Sequence, residues 1–592
     1  MQVADALWGH IKPAALRFRS TLGKTPKAPP DLLARFKSHA SNAAFKPFLL
    51  MLGAGAARQY SYADALQETR RWAQVLSQNG VQQGDRVFIA LTHRPEIYFC
   101  FLGAMWIGAT PTIIPFPTPK QDPVIYWAEY QSMFAQVEPR ALVTYAANIE
   151  SVTAALAGLP CAVIDVDAPE VAYAEALASC EPLHADPDGI AVLQFSSGTT
   201  GLRKGVMFSH GQIARHMQAY TGAIGFSARD TVASWLPLYH DMGLIACFLL
   251  PLHCGATIVA LDAFEWVARP WSLLEAIETY KARFAWLPNF AFHHIVRTLP
   301  EDRVFKLGGV RAFVDCSEIC RPDTLEQFAE AMRAHGVHPE QLQVSYGMAE
   351  TVFAVTQTQL GQPPRAVAVD RRLLETSRIV RVIDGSHGND RQSFLSCGKI
   401  VGDLDVRIVP LDDTPGATAD DADENRAGEI EVRGGHLFSG YFRNKAASEA
   451  AIADGWYRTG DLGFIHEGEL FVCGRKKEML IVHGRNYYAH DIEAVVSGVA
   501  HVKPGRAVVF SVEDAGSGSE EAVVLLETEP SSPTDHRALQ RAVKAAIFDR
   551  MELTVRSVVV VAPGSLVKTT SGKLSRAQNK ARHQAGLTVE TT

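Results

Sequence analysis

"LQFSSGTTGLRKGVMFSH", residues 193–210, decides how the rest of the chain is read. An apolar run ends at Phe195, a stretch of glycines and small hydroxyl residues with one lysine follows, and a second apolar run starts at Val206. The pattern is strand, loop, strand. Gly198, Gly201 and Gly205 let backbone N–H groups turn inward without a Cβ in the way, while Ser196, Ser197, Thr199 and Thr200 add hydroxyl donors. Such a loop, with the charge of Lys204 beside it, suits phosphate oxygens. It is not a GxxxxGK[ST] loop, because Gly205 and Val206 follow Lys204. An exposed Gly/Thr turn between strands is the plain alternative, and the rest of the chain has to separate the two.

On either side of this loop the chain alternates helix and strand patterns. "YADALQETRRWAQVLSQNG" (62–80) is an amphipathic helix closed by Gly80, and "DRVFIAL" (85–91) is a buried strand. The rhythm returns in "EYQSMFAQVEP" and "ALVTY", in "LLEAIETYKARF" and "FAWLP", and in "TLEQFAEAMRAHG" and "LQVSYG". Helices covering parallel sheets follow from it. After Gly398 the strands "LDVRIVPL", "GEIEVRG" and "GELFVCGR" come without helices, which predicts a smaller antiparallel part. The acidic stretch 412–428 between the first two is a solvated loop. From about Lys476 a helix, two strands, a helix and a strand make a last α+β unit. The fold class is thus α/β, and the expected division is a large N-terminal part of several subdomains, residues 1–475, and a small C-terminal part, residues 476–592.

Composition narrows the function. With 592 residues, 47% hydrophobic and 20% charged, the chain buries large cores. A net charge of -7 argues against a nucleic-acid surface. Nine cysteines are scattered without a CxxC pair or zinc-ligand spacing, so a reducing, cytoplasmic setting is expected and any metal would be held by oxygen ligands. The start shows no secretory signal. The one membrane-like stretch, residues 97–116, is interrupted by Gly103, Gly108, Pro111 and Pro115 and is expected to be a buried helix turning into a buried strand, with no membrane span.

The motifs "SSGTTGLRKG", "WLPLYHDMG", "YGMAET", "YRTGD", "GRKKE" and "TTSGK" follow one another from Ser196 to Lys573. As an ordered set they resemble the adenylate-forming superfamily of acyl-CoA synthetases, luciferases and nonribosomal peptide adenylation domains. The resemblance implies a large N-terminal domain joined by a hinge to a mobile lid. It also implies that ATP and a carboxylic acid are joined as an acyl adenylate with Mg2+ as cofactor. By position, Ser196, Ser197, Gly198, Thr199, Thr200 and Lys204 would hold phosphates and Glu350 would ligate Mg2+. Tyr346, with Gly347 and Met348, would stack on adenine, Ser317 would lie beside it, and Asp461 with Arg475 would take the ribose. Lys573 would bridge the acyl carboxylate and the α-phosphate, His240 would gate the carboxylate site, and Lys477 would be the hinge. A solvated lysine or a structural histidine is the ordinary fate of such residues outside this set.

Two details resemble one branch, the fatty acyl-AMP ligases. The interval from Glu350 to Gly398 is long and holds "AVAVDRRLLETSRIVRVIDG", similar to the branch's insertion, here about 356–396, which is thought to restrict the lid. "HGRNYYAHDIE" (483–493) resembles the branch's wording after the hinge, where Arg485 is expected to meet phosphate. Ala489 in place of proline, and a lysine at 204, depart from it. The branch implies a fatty acid substrate and transfer of the acyl group to the phosphopantetheine thiol of a separate holo acyl carrier protein, since no "DSL" attachment sequence follows Lys573. CoA as acceptor, as in a long- or medium-chain acyl-CoA synthetase, is the alternative, and a non-catalytic binder of nucleotide or acyl adenylate is the second. The basic end 573–583 could meet an acidic carrier or be a solvated helix face. The aromatic run "FAWLPNFAFHHIV" (284–296) could line an acyl channel or belong to the core.

Overall fold

A computed structural model describes residues 18–19, 31–53, 55–117, 123–172, 181–195, 204–384, 390–411, 425–482, 485–513, 520–529, 535–568 and 573–588. Its centre is a nine-stranded sheet. From one edge the strands run Lys399–Ile400, Ala354–Gln357, Leu342–Gly347, Ala312–Asp315, Phe284–Leu287, Thr231–Ser234, Thr257–Ala260, Pro47–Met51 and Arg58–Ser61. The inner pairs are parallel and the outermost antiparallel. A second, fully parallel sheet of four strands orders Thr110–Ile113, Arg86–Ile89, Ala141–Thr144 and Ala162–Asp165. The inner strands are buried throughout, as strands covered on both faces must be.

Local signals explain the helices that cover these sheets. Tyr62–Gln78 starts with a capping box, Ser61 with Asp64, and stops before Gly80 at φ +77°. His210–Ile224 repeats the device with Ser209, Gln212 and left-handed Gly225. Residues 97–116 form the expected buried helix, Glu96–Trp106, followed by the buried strand Thr110–Ile113. No helix among the described residues is long and apolar enough to cross a membrane.

One helix departs from the pattern. Met242–Leu249 is π-helical, wholly buried, and capped by Asp241, whose carboxylate accepts from the Met242 N–H at 2.8 Å. Gly243 is required there: a Cβ would lie 2.3 Å from the Pro237 carbonyl oxygen.

The smaller antiparallel part is also present. Asp405–Val409, Gly428–Arg433, Trp456–His466 and Glu469–Arg475 pair in turn; of the acidic loop read before Gly428, residues 412–424 lie outside the described set. The insertion folds as a hairpin of Ala366–Asp370 with Arg391–Leu395 around a short helix, Arg371–Ser377. From Leu480 on, residues enclose cores of their own, while Met479 and Tyr488 pack into the cluster of Phe464 and Phe471. Helices Ala489–Ser497 and His536–Met551 cover one face of the sheet Val502–Glu513, Glu520–Thr528 and Ser557–Val561, and a smaller cluster with Val508, Phe510 and Leu566 lies on the other. The aromatic run is largely core: Phe284 and Trp286 on one face of the large sheet, Phe292 on the other, with Phe290 partly exposed.

Candidate functional site

The strand Leu342–Gly347 ends in the motif that organises the site. Beyond it a tight turn brings Met348 N–H to the Phe353 carbonyl at 2.8 Å. Gly347 permits this approach, since a Cβ would sit 2.4 Å from that same oxygen. Val352 closes the turn at φ +66°, a strained conformation for a β-branched residue, two positions after Glu350. The turn's shape is therefore imposed by its surroundings. It leaves Tyr346 facing the antiparallel part, where its hydroxyl donates to Asp461 Oδ2 at 2.8 Å.

Asp461 is held from three sides. Its strand pairs it with Arg475 in register, Arg475 Nε lies 3.3 Å from Oδ1, and its own N–H donates to Thr459 Oγ1 at 3.0 Å. Burial lifts the carboxyl above its usual range, with Arg475 and the Tyr346 hydroxyl acting against that rise. An aromatic ring and an acid–base pair thus share one wall.

Lys573 reaches out of the C-terminal unit to the large sheet, where its Nζ donates to the Ser317 carbonyl oxygen. Ser317 follows the central strand Ala312–Asp315 with φ +74°, a turn that exposes this carbonyl, and its Oγ lies 3.7 Å from Met242 Sδ. Asp241, the cap of the π-helix, adjoins Met242 and is partly buried. Its carboxyl is raised first by burial; the Met242 N–H and Lys573 oppose the rise and Glu350 adds to it. Lys573 and Glu350, far apart in the chain, therefore both act on the Asp241 carboxyl, and Ser317 touches the methionine that it caps. His240 precedes it with its N–H on the Pro237 carbonyl at 3.2 Å and its ring 4.8 Å from Tyr239.

Glu350 and Lys204 are brought together by a residue that sequence reasoning passed over. Glu350 Oε1 accepts from the Tyr441 hydroxyl at 2.8 Å, and Lys204 Nζ lies 4.6 Å from the centre of the same ring. Burial keeps the Tyr441 hydroxyl protonated by pushing its pKa up. The signal was a Gly-Tyr pair in a loop, "SGYF", with nothing local to mark its partners. Ser196, Ser197, Gly198, Thr199 and Thr200 lie outside the described residues. The strands flanking them, Ile190–Phe195 and Gly205–Ser209, do form an antiparallel hairpin.

Other expected residues fall elsewhere. Lys477 stands exposed in the single turn Lys476–Glu478 that leads out of the antiparallel part. Arg485 shows different partners from the phosphate expected of it. Its guanidinium pairs with Glu375 Oε2 at 2.5 Å and Glu552 Oε2 at 2.9 Å, joining the insertion to the C-terminal unit. The neighbouring Asn486 Nδ2 donates to the Glu375 carbonyl at 2.7 Å. A second seam links Arg321 Nη2 to the His490 carbonyl at 2.9 Å and Gln392 Nε2 to Asp491 Oδ2 at 2.8 Å. Of the basic end, Arg576 is spent on Glu493 at 2.6 Å and on Glu478, while Arg582 faces solvent.

The site lies where the parallel strands of the large sheet end, the place where open α/β sheets bind ligands. Comparison with known proteins agrees with the architecture. The model of the "AMP-binding enzyme" family matches residues 36–442, and that of "Disco-interacting protein 2-like, AMP domain" matches residues 477–590. The chain is 33% identical over 563 residues to the long-chain-fatty-acid–AMP ligase FadD26 of Mycobacterium marinum, covering 88% of this chain and 92% of that one. It is 32% identical over 532 residues to the 4-hydroxyphenylalkanoate adenylyltransferase of Mycobacterium tuberculosis, covering 84% and 82%. A solved structure from work on fatty acyl-adenylate ligases of E. coli and L. pneumophila superposes with a TM-score of 0.83 at 25% identity, covering 94% of this chain and 98% of that one.

Proposed function

The chain belongs to the AMP-binding enzyme family, and on that premise we propose that it joins a fatty acid to ATP as an acyl adenylate, releases pyrophosphate, and passes the acyl group to the phosphopantetheine thiol of a separate carrier protein. The observation that carries the first step is the reach of Lys573 from the C-terminal unit to the carbonyl of Ser317, beyond the end of a central strand.

Each residue has a task that its surroundings support. Tyr346 offers a ring face to adenine, with Gly347 and Met348 completing the turn below it. Asp461, whose buried carboxylate already accepts from one hydroxyl, takes the ribose hydroxyls, and Arg475 balances its charge. Residues 196–200 and Lys204 hold the phosphates. The difficulty of the reaction is that carboxylate and phosphate are both anions. Lys573 offsets that repulsion at the attacking and accepting oxygens and stabilises the charge that gathers during in-line attack. His240, at the mouth of the π-helical turn, guards the carboxylate side.

Glu350 fits a magnesium ion. It is a carboxylate whose Oε1 shares the Tyr441 side chain with Lys204, and a carboxylate oxygen is the kind of ligand that magnesium takes alongside phosphate oxygens and water. When bound, magnesium neutralises phosphate charge. The division of labour places residues 1–475 as the binding body and 476–592 as the lid, turning at Lys477. The scattered cysteines support a cytoplasmic setting.

The preference for a carrier over CoA rests on the insertion. Its Glu375 ties the lid through Arg485 and Asn486, which supports a lid less free to open a path for a large soluble acceptor. Two measurements test the reading. Lys573→Ala lowers fatty-acid-dependent pyrophosphate release by about two to three orders of magnitude, with little change in ATP affinity. Isolated acyl adenylate gives thioester rapidly with holo carrier protein and slowly with CoA; the reverse result sinks the acceptor assignment, and an unaltered rate in the alanine variant sinks the chemistry.

A further inference from the structure

We propose that Tyr441 is the positioning residue that fixes Glu350 and Lys204 in one rigid relation, so that the acidic and basic halves of the phosphate site are set before the nucleotide arrives. The inference rests on the adenylation reading above but concerns a residue that no motif assigned.

Three attachments meet in this side chain and its backbone. First, the hydroxyl donates to Glu350 Oε1 at 2.8 Å. Second, the ring face lies 4.6 Å beneath Lys204 Nζ, within the range where a cation is drawn to an aromatic face. Third, the segment carrying Tyr441 is sewn to the strand that leaves the phosphate loop. Tyr441 pairs with Val206, Phe442 N–H donates to the Gly205 carbonyl at 2.8 Å, and Met207 N–H donates to the Gly440 carbonyl at 3.2 Å.

The same segment is bound to the turn of Glu350. Phe438 N–H donates to the Glu350 carbonyl at 2.7 Å, so residues 438–442 bridge the loop strand and the acid by main chain as well as by side chain. Tyr441 N–H is held in turn by Ser448 Oγ at 2.9 Å, and the ring packs at 4.9 Å from Phe438. A group so anchored has little freedom to follow Glu350 or Lys204; they must conform to it.

The geometry separates two duties that two substitutions can tell apart. Tyr441→Phe keeps the ring under Lys204 and removes the hydrogen bond to Glu350. Tyr441→Leu removes both. The Phe variant should bind Mn2+, used with a non-hydrolysable ATP analogue and read by electron paramagnetic resonance, about tenfold more weakly, the scale of one hydrogen bond to a charged group. Binding of the metal-free analogue should be unchanged. The Leu variant should lose cation binding to the same degree and also weaken the metal-free analogue several-fold, because Lys204 is no longer held. In a Glu350→Gln background, Tyr441→Phe should add nothing to the cation defect if it acts through that acid. Equal cation affinity in wild type and Tyr441→Phe, or full additivity with Glu350→Gln, overturns the proposal. A cation defect with wild-type pyrophosphate release at saturating metal keeps it. If no variant and no wild-type protein yields acyl adenylate, while the cation series behaves as stated, the functional reading fails and the positioning role stands.

Discussion

His490 should make the junction of the C-terminal unit acid-sensitive. The imidazole sits where that unit meets the rest of the chain, 14% exposed, beside Tyr488 and against Gly474. Burial, opposed by Asp491 and Glu478 and reinforced by Arg321 and Arg576, takes its pKa from 6.5 down to about 4. The folded form therefore holds the ring neutral while the unfolded chain protonates it below pH 6.5. Stability from this group is complete above that value and is lost as pH falls toward 4. A shift of that size corresponds to roughly 3 kcal/mol. Near pH 5 the unfolded chain should bind about 0.9 proton more at this site than the folded one. Proton uptake on urea unfolding, followed by pH-stat, measures this directly. His490→Gln should reduce the uptake near pH 5 by about that amount and leave uptake at pH 8 unchanged. Packing lost with the ring shifts the midpoint but not the proton count, so an uptake within about 0.3 proton of wild type would refute the argument.

Further outcomes follow from other contacts. Gly243→Ala forces a Cβ to within 2.3 Å of the Pro237 carbonyl and should cost about 2–3 kcal/mol of stability while displacing His240; a thermal midpoint equal to wild type would contradict the packing. Tyr346→Phe removes the bond to Asp461 and should raise the KM for ATP several-fold with kcat nearly kept, whereas Asp461→Ala should raise it far more; steady-state kinetics decide, and equal effects would deny the pairing. Asp230, 1% exposed between Arg283 at 3.0 Å and Arg311 at 3.5 Å, also accepts from Ser227; Asp230→Ala should destabilise the body by about 3 kcal/mol in urea titration, and a loss under 1 would count against it.

Much of this architecture could be read from residue pattern because the parallel strands are short, apolar and separated by amphipathic helices. The strand pair around residues 196–203 was equally visible, since glycines and hydroxyls interrupt two apolar runs. The π-helix was not. Met242–Leu249 is apolar on every side, and without a polar face no periodicity distinguishes 3.6 residues per turn from a wider coil. The partner strand of Ala366–Asp370 was also missed, because "RQSFL" is mostly polar and lies beyond a helix and a loop. Among candidate site residues, the acids Glu350 and Asp461 stand in motifs, but their hydrogen-bond partners were not equally legible. Tyr441 lies 91 positions from Glu350, a distance only folding closes. Arg485 illustrates the converse: its wording suggested a phosphate, and the carboxylates of Glu375 and Glu552 that meet it in the fold could not be read from the sequence.

The two apolar clusters enclosed by residues after Met479 bear on how such enzymes can be recombined. A cut at the short turn Lys476–Glu478 divides neither of them, but it parts Tyr488 from the cluster of Val369, Phe464 and Phe471 in which it is buried, so a graft of everything downstream from a relative has to keep a ring at that position. What a chimaera would also have to match are the polar docking contacts: Arg321 and Gln392 with residues 490–491, Glu375 with Arg485 and Asn486, and the Ser317 carbonyl with Lys573. Swapping those side chains along with the graft is the economical route to a hybrid whose two parts still dock.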